Sequence, residues 1–68
     1  MTKTALGIKR NPDESWHDCA MRYAKKYGLE HEVEKEYQES IAAGESEESA
    51  AWCACYEWDI CDLMEEDQ

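Results

Sequence analysis

The spacing of apolar positions predicts a first helix near residues 12–27. Apolar residues recur at i, i+3, i+4, i+7, i+8 and i+11, the spacing of one face of an amphipathic helix. They are Trp16, Cys19, Ala20, Tyr23, Ala24 and Tyr27. Asn11 followed by Pro12 and two acids predicts the start, because Asn caps helices well and Pro fits the first turn. Gly28 predicts the end, where a left-handed residue is needed.

A second helix is expected near residues 29–43, closed by Gly44. Its apolar line is thin and consists of Leu29, Val33, Tyr37 and Ile41. Acidic residues surround this line, relieved only by His31 and Lys35. The short links on either side favour antiparallel or sharply angled neighbouring helices.

The densest apolar run, residues 46–64, predicts a third helix at the centre of the fold. Ser46 is a good N-cap and two acids follow it in the first turn. Two apolar stripes follow, one of Ala51, Ala54, Cys55, Trp58 and Cys61, the other of Cys53, Tyr56, Ile60, Leu63 and Met64. A helix that is apolar around so much of its circumference is normally covered on more than one side. Only a narrow acidic edge, Glu57, Asp59 and Asp62, is left for water.

Residues 1–10 are expected to form an extended arm. Thr4, Leu6 and Ile8 would lie on one side of such a segment. A lone strand has nothing to pair with unless a second strand or second chain supplies an edge. We therefore expect an arm that lays Leu6 and Ile8 on the helical core, with a frayed terminus as the alternative. The predicted fold is a single all-α domain, residues 1–68, a compact three-helix arrangement with an extended N-terminal arm.

Charge changes this picture more than any other property. The chain of 68 residues has a formal net charge of −10, divided into +3 for residues 1–27 and −13 for residues 28–68. Such a surface repels nucleic acid and anionic membranes, and a basic protein surface is its natural complement. The basic residues of the first part, Lys3, Lys9, Arg10, Arg22, Lys25 and Lys26, are expected to offset the acidic helices within the monomer.

The four cysteines are expected to be free and metal-free. The chain shows no signal peptide and no apolar run long enough to cross a bilayer, which favours a soluble cytoplasmic protein with reduced thiols. Cys53 and Cys55 are two positions apart on a predicted helix and point to nearly opposite sides, unlike a zinc-binding pair. His17 and Cys19 have the same spacing.

No residue pattern indicates an enzyme or a cofactor. His17 and His31 fall on predicted solvent-facing positions, and no spacing joins a thiol, an imidazole and an orienting amide in one site. A carboxylate that acts as a general acid needs burial to raise its pKa, whereas these acids belong to exposed faces. We expect no catalytic residue, no cofactor and no metal.

The acidic array has two interpretations. It is either a solvated face that keeps a small, Trp-rich protein soluble, or an imitation of nucleic acid. Acids at i and i+4 lie about 6 Å apart along a helix axis, comparable to successive phosphates on one DNA strand. The predicted partner-binding residues are Glu30, Glu32, Glu34, Glu36, Glu39, Glu57, Asp59 and Asp62.

In its general character the chain resembles small phage-encoded inhibitors of bacterial defence, particularly anti-CRISPR proteins that act as DNA mimics. The resemblance lies in the short length, the Cys and Trp content, the acidity and the lack of a catalytic motif. It implies a monomer in the cytoplasm of a bacterial host that binds the basic DNA channel of a CRISPR effector complex, of type I, and blocks target DNA. The alternative is a small helical adaptor or regulatory protein that docks through exposed aromatic residues such as Trp52 and Tyr56.

Overall fold

A computed structural model describes the backbone of residues 2–67 and the side chains of residues 7–62. Its elements follow one another as β1 (Thr2–Gly7), α1 (Trp16–Lys25), α2 (Glu30–Ala42), α3 (Glu47–Glu57) and β2 (Asp62–Asp67). The predicted three-helix arrangement and the extended N-terminal arm are confirmed. The description all-α omits one feature, because the arm is a strand and pairs with a second strand at the other end of the chain.

The two strands form an antiparallel sheet that brings the ends of the described chain together. Thr2 lies opposite Asp67, and the register runs without interruption to Gly7 opposite Asp62. This second strand supplies the edge that an isolated arm lacks. Three helices and a two-stranded sheet therefore make up the described part of the chain.

Helix α1 begins four residues later than predicted. Ser15, and not Asn11, is the N-cap, and its Oγ accepts the Asp18 N–H at 3.0 Å. Asn11 instead opens a separate turn, in which the Glu14 N–H donates to the Asn11 carbonyl and a Glu14 carboxylate oxygen accepts the Asn11 N–H at 2.9 Å. The predicted start was wrong because this turn closes on itself before the helix begins.

The three helices end in the same way, with a residue of positive φ and a backbone N–H that reaches back to the last turn. Gly28 (φ 68°) and Gly44 (φ 98°) end α1 and α2, as predicted. Asp59 (φ 55°) ends α3, where the Ile60 N–H donates to the Cys55 carbonyl at 3.1 Å. The prediction that the third helix continues to Met64 is therefore wrong.

Helix α3 packs against α1, α2 and β1, so its predicted central position is confirmed. The core consists of Ile8, Cys19, Ala20, Tyr23, Ala24, Val33, Tyr37, Ala50, Ala51, Ala54, Cys55 and Ile60. Three of the four residues that α3 contributes are alanines, which allow the neighbouring helices to approach closely. Ile8 is buried as predicted. The side chain of Leu6 lies outside the described residues.

Only one side of α3 is covered, which corrects the prediction of two buried stripes. Cys55 is fully buried, whereas Cys53 and Tyr56 of the second stripe are exposed. Ile60 is buried beyond the end of the helix. Leu63 and Met64 belong to β2, and their side chains are outside the described part. Within the described residues no helix has the length and apolarity needed to cross a bilayer.

Candidate partner-binding surface

None of the eight predicted partner-binding acids lies in the core. Glu30, Glu39, Glu57 and Asp59 are exposed, and Glu32, Glu34, Glu36 and Asp62 are half-buried. The five between residues 30 and 39 belong to α2 and Glu57 ends α3, whereas Asp59 lies in the turn after α3 and Asp62 begins β2. The structure therefore distributes these carboxylates over three neighbouring elements.

The acids of α2 lie on two flanks and not on one face. At 100° per residue, Glu32, Glu36 and Glu39 share a stripe on one side of the buried Val33 and Tyr37. Glu30 and Glu34 fall on the other side of that buried line. The rows predicted at i and i+4 are both present, but they face different directions.

Glu34 is occupied by contacts within the molecule. Its carboxylate lies 2.5 Å from His17 Nε2 and accepts a hydrogen bond from the Gln38 amide at 2.7 Å. Gln38 first and His17 second lower the pKa of Glu34. The His17 ring also meets the Tyr37 ring edge-on, with centroids 4.8 Å apart. His17 therefore joins α1 to α2 and is only partly exposed, which corrects its predicted solvent-facing position.

Asp62 is occupied as well. It accepts a 2.7 Å hydrogen bond from the hydroxyl of Tyr23, which in turn accepts the Lys9 N–H at 2.8 Å. Burial raises the pKa of Tyr23 to about 12, and the hydrogen bond to Asp62 contributes to the increase. Asp62 thus holds the beginning of β2 against α1, and we assign it a structural role.

The other six predicted acids have carboxylates with no hydrogen bond or ion pair among the described side chains. They are Glu30, Glu32, Glu36, Glu39, Glu57 and Asp59. The contacts of Glu34 with His17 and of Asp62 with Tyr23 were not predictable from spacing, because these pairs lie 17 and 39 residues apart in sequence.

The described basic side chains of the first part do not neutralise these six acids. Arg22 binds Glu14 of its own segment through two hydrogen bonds, at 2.9 and 3.3 Å. Arg22 and the Asn11 N–H hold the pKa of Glu14 at about 2. Arg10 lies over the Trp16 ring and Lys26 over the Tyr23 ring. Among the described side chains, these basic groups therefore neutralise an acid of residues 1–27 and not the acidic helices that follow.

Helix α3 also carries two aromatic rings and a thiol outside its fully buried residues, and the ring of Trp52 packs against the core. Tyr56 is 48% exposed and Trp52 is half-buried, with their ring centroids 6.1 Å apart. The Nε1 of Trp52 is buried without a hydrogen-bond partner in the described structure. Cys53 of the same helix is exposed. Helix periodicity places Ser49 and Glu57 on the same side.

The four thiols differ in burial, and all are unbridged in the structure. Burial raises the pKa of Cys19 to about 11 and that of Cys55 to about 12, and it also raises the pKa of Cys61. Cys53, which belongs to a predicted apolar stripe of the third helix, is exposed. Among the described residues, no group of three or more His, Cys, Asp or Glu side chains could hold a metal ion.

Comparison of the chain with protein-family models, with curated proteins and with solved structures finds no match in any of the three.

Proposed function

We propose that this protein is a non-enzymatic inhibitor that occupies a basic, nucleic-acid-binding surface of another protein. The observation that carries the proposal is the set of six carboxylates on α2 and at the end of α3 that have no hydrogen-bond or ion-pair partner among the described side chains. Because opposite potentials steer diffusional encounter, such a surface favours rapid association with clustered Lys and Arg.

The position of two of these acids supports the proposal. Glu57 and Asp59 lie at the C-terminal end of α3, where the helix dipole disfavours negative charge, and the last turn contains no basic residue. We therefore expect both carboxylates to lower the stability of the isolated protein. A cationic partner would reverse this unfavourable contribution.

The resemblance to DNA-mimicking anti-CRISPR proteins gives the first partner to test. We propose the basic DNA channel of a type I CRISPR effector complex, with Glu32, Glu36 and Glu39 as the leading row. Glu30, Glu57 and Asp59 would extend the contact. Glu34 and Asp62 are left out of the binding set because His17, Gln38 and Tyr23 engage them.

Charge reversal tests the proposal. The double variant Glu36→Lys/Glu39→Lys should abolish capture of the partner from host lysate at low salt. The matched control is Asp13→Lys/Asp18→Lys, which changes the net charge equally on exposed residues outside the proposed surface. Circular dichroism should show unchanged helix content in both. Equal loss of capture in the two variants would mean that net charge alone is responsible, and the proposed surface would be wrong.

Competition identifies the site on the partner. The captured protein should release this chain when DNA is added, because both would occupy one basic surface. If the partner binds DNA and this chain simultaneously without interference, mimicry at the DNA site is wrong.

The exposure of Tyr56 favours a second candidate function, a helical adaptor that docks through the aromatic side of α3. The dependence of partner binding on salt concentration distinguishes the two candidate functions. At about 0.5 M NaCl the Debye length falls to about 4 Å, which weakens charge-driven binding steeply. Apolar docking would persist under that condition.

A further inference from the structure

The sheet formed by β1 and β2 has an unpaired edge along β2. It contains two strands, so each strand has one neighbour and one outer edge. The backbone of β1 lies beside α3, whereas the backbone of β2 lies beside β1 and beside no helix of the described fold. In an antiparallel pair, alternate residues direct their N–H and C=O groups away from the partner strand. The outer edge of β2 therefore carries backbone donors and acceptors that β1 does not use.

Two strands are fewer than a stable sheet usually needs. An isolated two-stranded pair is only marginally stable in water, and a third strand or a covering helix adds stability. The base of this sheet is held by Tyr23, whose hydroxyl donates to Asp62 and accepts the Lys9 N–H. That contact lies at the first position of β2 and does not reach the rest of the strand. A third strand beside β2 would extend the sheet where no helix of the described fold supports it.

Charge distinguishes the two outer edges of the sheet. The single charged residue of β1 is Lys3, which lies opposite Glu66 in the register. Strand β2 contains no basic residue and four acids, Asp62, Glu65, Glu66 and Asp67. The Asp62 carboxylate already accepts a hydrogen bond from α1, which leaves three acids at the far end of the strand. The edge along β2 is therefore the acidic one.

We infer that a basic, extended segment of the partner adds to the outer edge of β2 as a third strand. This inference rests on the proposed function and names the form in which the cations of the partner bind. In strand addition, backbone hydrogen bonds supply affinity and side chains at alternate positions supply specificity. Glu57 and Asp59 lie shortly before β2 in sequence, so this edge continues the acids proposed for binding.

The order of residues along β2 predicts the composition of the added strand. Leu63 and Met64 lie in its first half, and residues 65–67 are all acidic. Because successive residues alternate between the two faces of a sheet, each face carries at least one of these three acids. Cross-strand pairs of opposite charge and pairs of apolar or β-branched residues both stabilise a sheet. The segment that fits best therefore has adjacent Lys or Arg residues next to apolar or β-branched ones.

A second copy of the chain is a less favourable occupant of this edge. Its β2 would bring acids against acids, and like charges directly opposite in a sheet are destabilising. Its β1 would bring one Lys, attached to a molecule whose net charge is −10. A cationic segment of another protein meets the same edge with favourable charge.

A pair of peptides with equal charge separates strand addition from attraction to the acidic surface as a whole. The probe is a block of lysines followed by a block of threonines, and the reversed sequence covers the other strand direction. The control peptides are N-methylated along the backbone, which removes the N–H donors and keeps the side-chain charges. Fluorescence anisotropy at low salt should show about fivefold tighter binding of one lysine–threonine peptide than of its N-methylated counterpart, the effect of about one net backbone hydrogen bond.

Amide hydrogen exchange, followed by NMR, locates the added strand. In the free protein, alternate amides of β2 should exchange rapidly, because their N–H groups lie on the outer edge. The lysine–threonine peptide should slow the exchange of these outer amides, while the amides that donate to β1 change little. The N-methylated peptide should leave the outer amides as they are in the free protein.

A charge-neutralising variant tests the role of the β2 acids. Glu65→Gln/Glu66→Gln should weaken binding of the lysine–threonine peptide about two- to tenfold, the effect of two cross-strand pairs of opposite charge. The matched control is Asp13→Asn/Asp18→Asn, which removes the same charge from exposed residues outside the sheet and should weaken binding less. Circular dichroism should show that both variants remain folded. Equal weakening in the two variants would mean that the acids of β2 have no specific role, and the β2 site would be wrong.

The remaining outcomes distinguish the two proposals. If the N-methylated and unmodified peptides bind equally and no β2 amide is protected, strand addition is wrong, while the acidic-surface function stands if Glu36→Lys/Glu39→Lys still abolishes capture of the partner. If the folded wild type binds neither peptide at low salt, both proposals are wrong. If the outer amides are already protected in the free protein, the edge is covered, by a second copy where sedimentation shows a dimer, and the β2 site is wrong.

Discussion

Tyr23 connects parts of the molecule that the sequence separates widely. Its hydroxyl accepts the Lys9 N–H just after β1 and donates to Asp62 at the start of β2, while its ring is 1% exposed in the core. The carbonyl of Lys9 accepts a further hydrogen bond from Arg22, at 2.7 Å. One residue of α1 therefore fixes the base of the sheet.

Tyr23→Phe should lower the free energy of unfolding by about 1–3 kcal/mol, because the part-buried Lys9 N–H and the Asp62 carboxylate both lose a hydrogen-bond partner. Urea denaturation would measure the change. Amide exchange of Lys9 should also become faster, since its N–H donates directly to this hydroxyl. Tyr27→Phe, which removes an exposed hydroxyl, is the control and should change stability little. Equal stability of wild type and Tyr23→Phe would show that this hydroxyl contributes nothing net.

The residue that ends α3 is unfavourable both in its backbone conformation and in its charge. Asp59 adopts φ 55°, a region in which Gly is the preferred residue, and it places a carboxylate at the negative end of the helix dipole. The ends of α1 and α2 use Gly28 and Gly44 for the same purpose.

Asp59→Gly should therefore raise the free energy of unfolding by about 0.5–1 kcal/mol, the combined effect of relieved backbone strain and removed charge, less the added flexibility of the unfolded chain. Gly28→Ala should lower it by about 1 kcal/mol, and only through φ, because a Cβ there meets no atom within 4 Å. Thermal unfolding of both variants would test these signs. A destabilised Asp59→Gly would mean that the Asp59 side chain stabilises this turn.

The residues that end the helices explain which element boundaries the sequence could predict. Gly28 and Gly44 mark the ends of α1 and α2, and the predicted bounds of the second helix therefore coincide with its cap positions. Asp59 carries no such signal, and the apolar Leu63 and Met64 extend the helical pattern beyond the true end. Strand β2 was missed because its partner lies at the opposite end of the chain, where local periodicity gives no information.

For the candidate surface, the sequence predicted which acids lie outside the core but not which of them form hydrogen bonds within the molecule. The helical pattern correctly kept the acids out of the core, since an amphipathic helix directs them away from its apolar line. It could not separate Glu34 from Glu36, because only the packing of α1 on α2 brings His17 to one of them. Tertiary contacts thus decide which carboxylates are hydrogen-bonded within the molecule and which have no partner among the described side chains.

At the scale of the whole molecule, the segregation of charge should make stability depend on salt. Residues 28–68 carry −13, and six of their predicted partner-binding acids have no internal partner among the described side chains. Their mutual repulsion opposes folding, and added salt screens it. The unpaired surface proposed for binding is therefore expected to lower the stability of the free protein.

Raising NaCl from about 0.01 M to about 0.5 M shortens the Debye length from about 30 Å to about 4 Å, so the melting temperature should increase. Relief of about 1 kcal/mol corresponds to a rise of about 4–8 °C in a domain of this size. Glu36→Gln/Glu39→Gln, which removes two charges with little change of shape, should melt higher than the wild type at low salt and respond less to NaCl. The same salt should weaken partner binding, because one set of carboxylates is responsible for both effects. A melting temperature that is independent of salt, or that falls, would mean that the acidic surface is not under repulsive strain in the free protein.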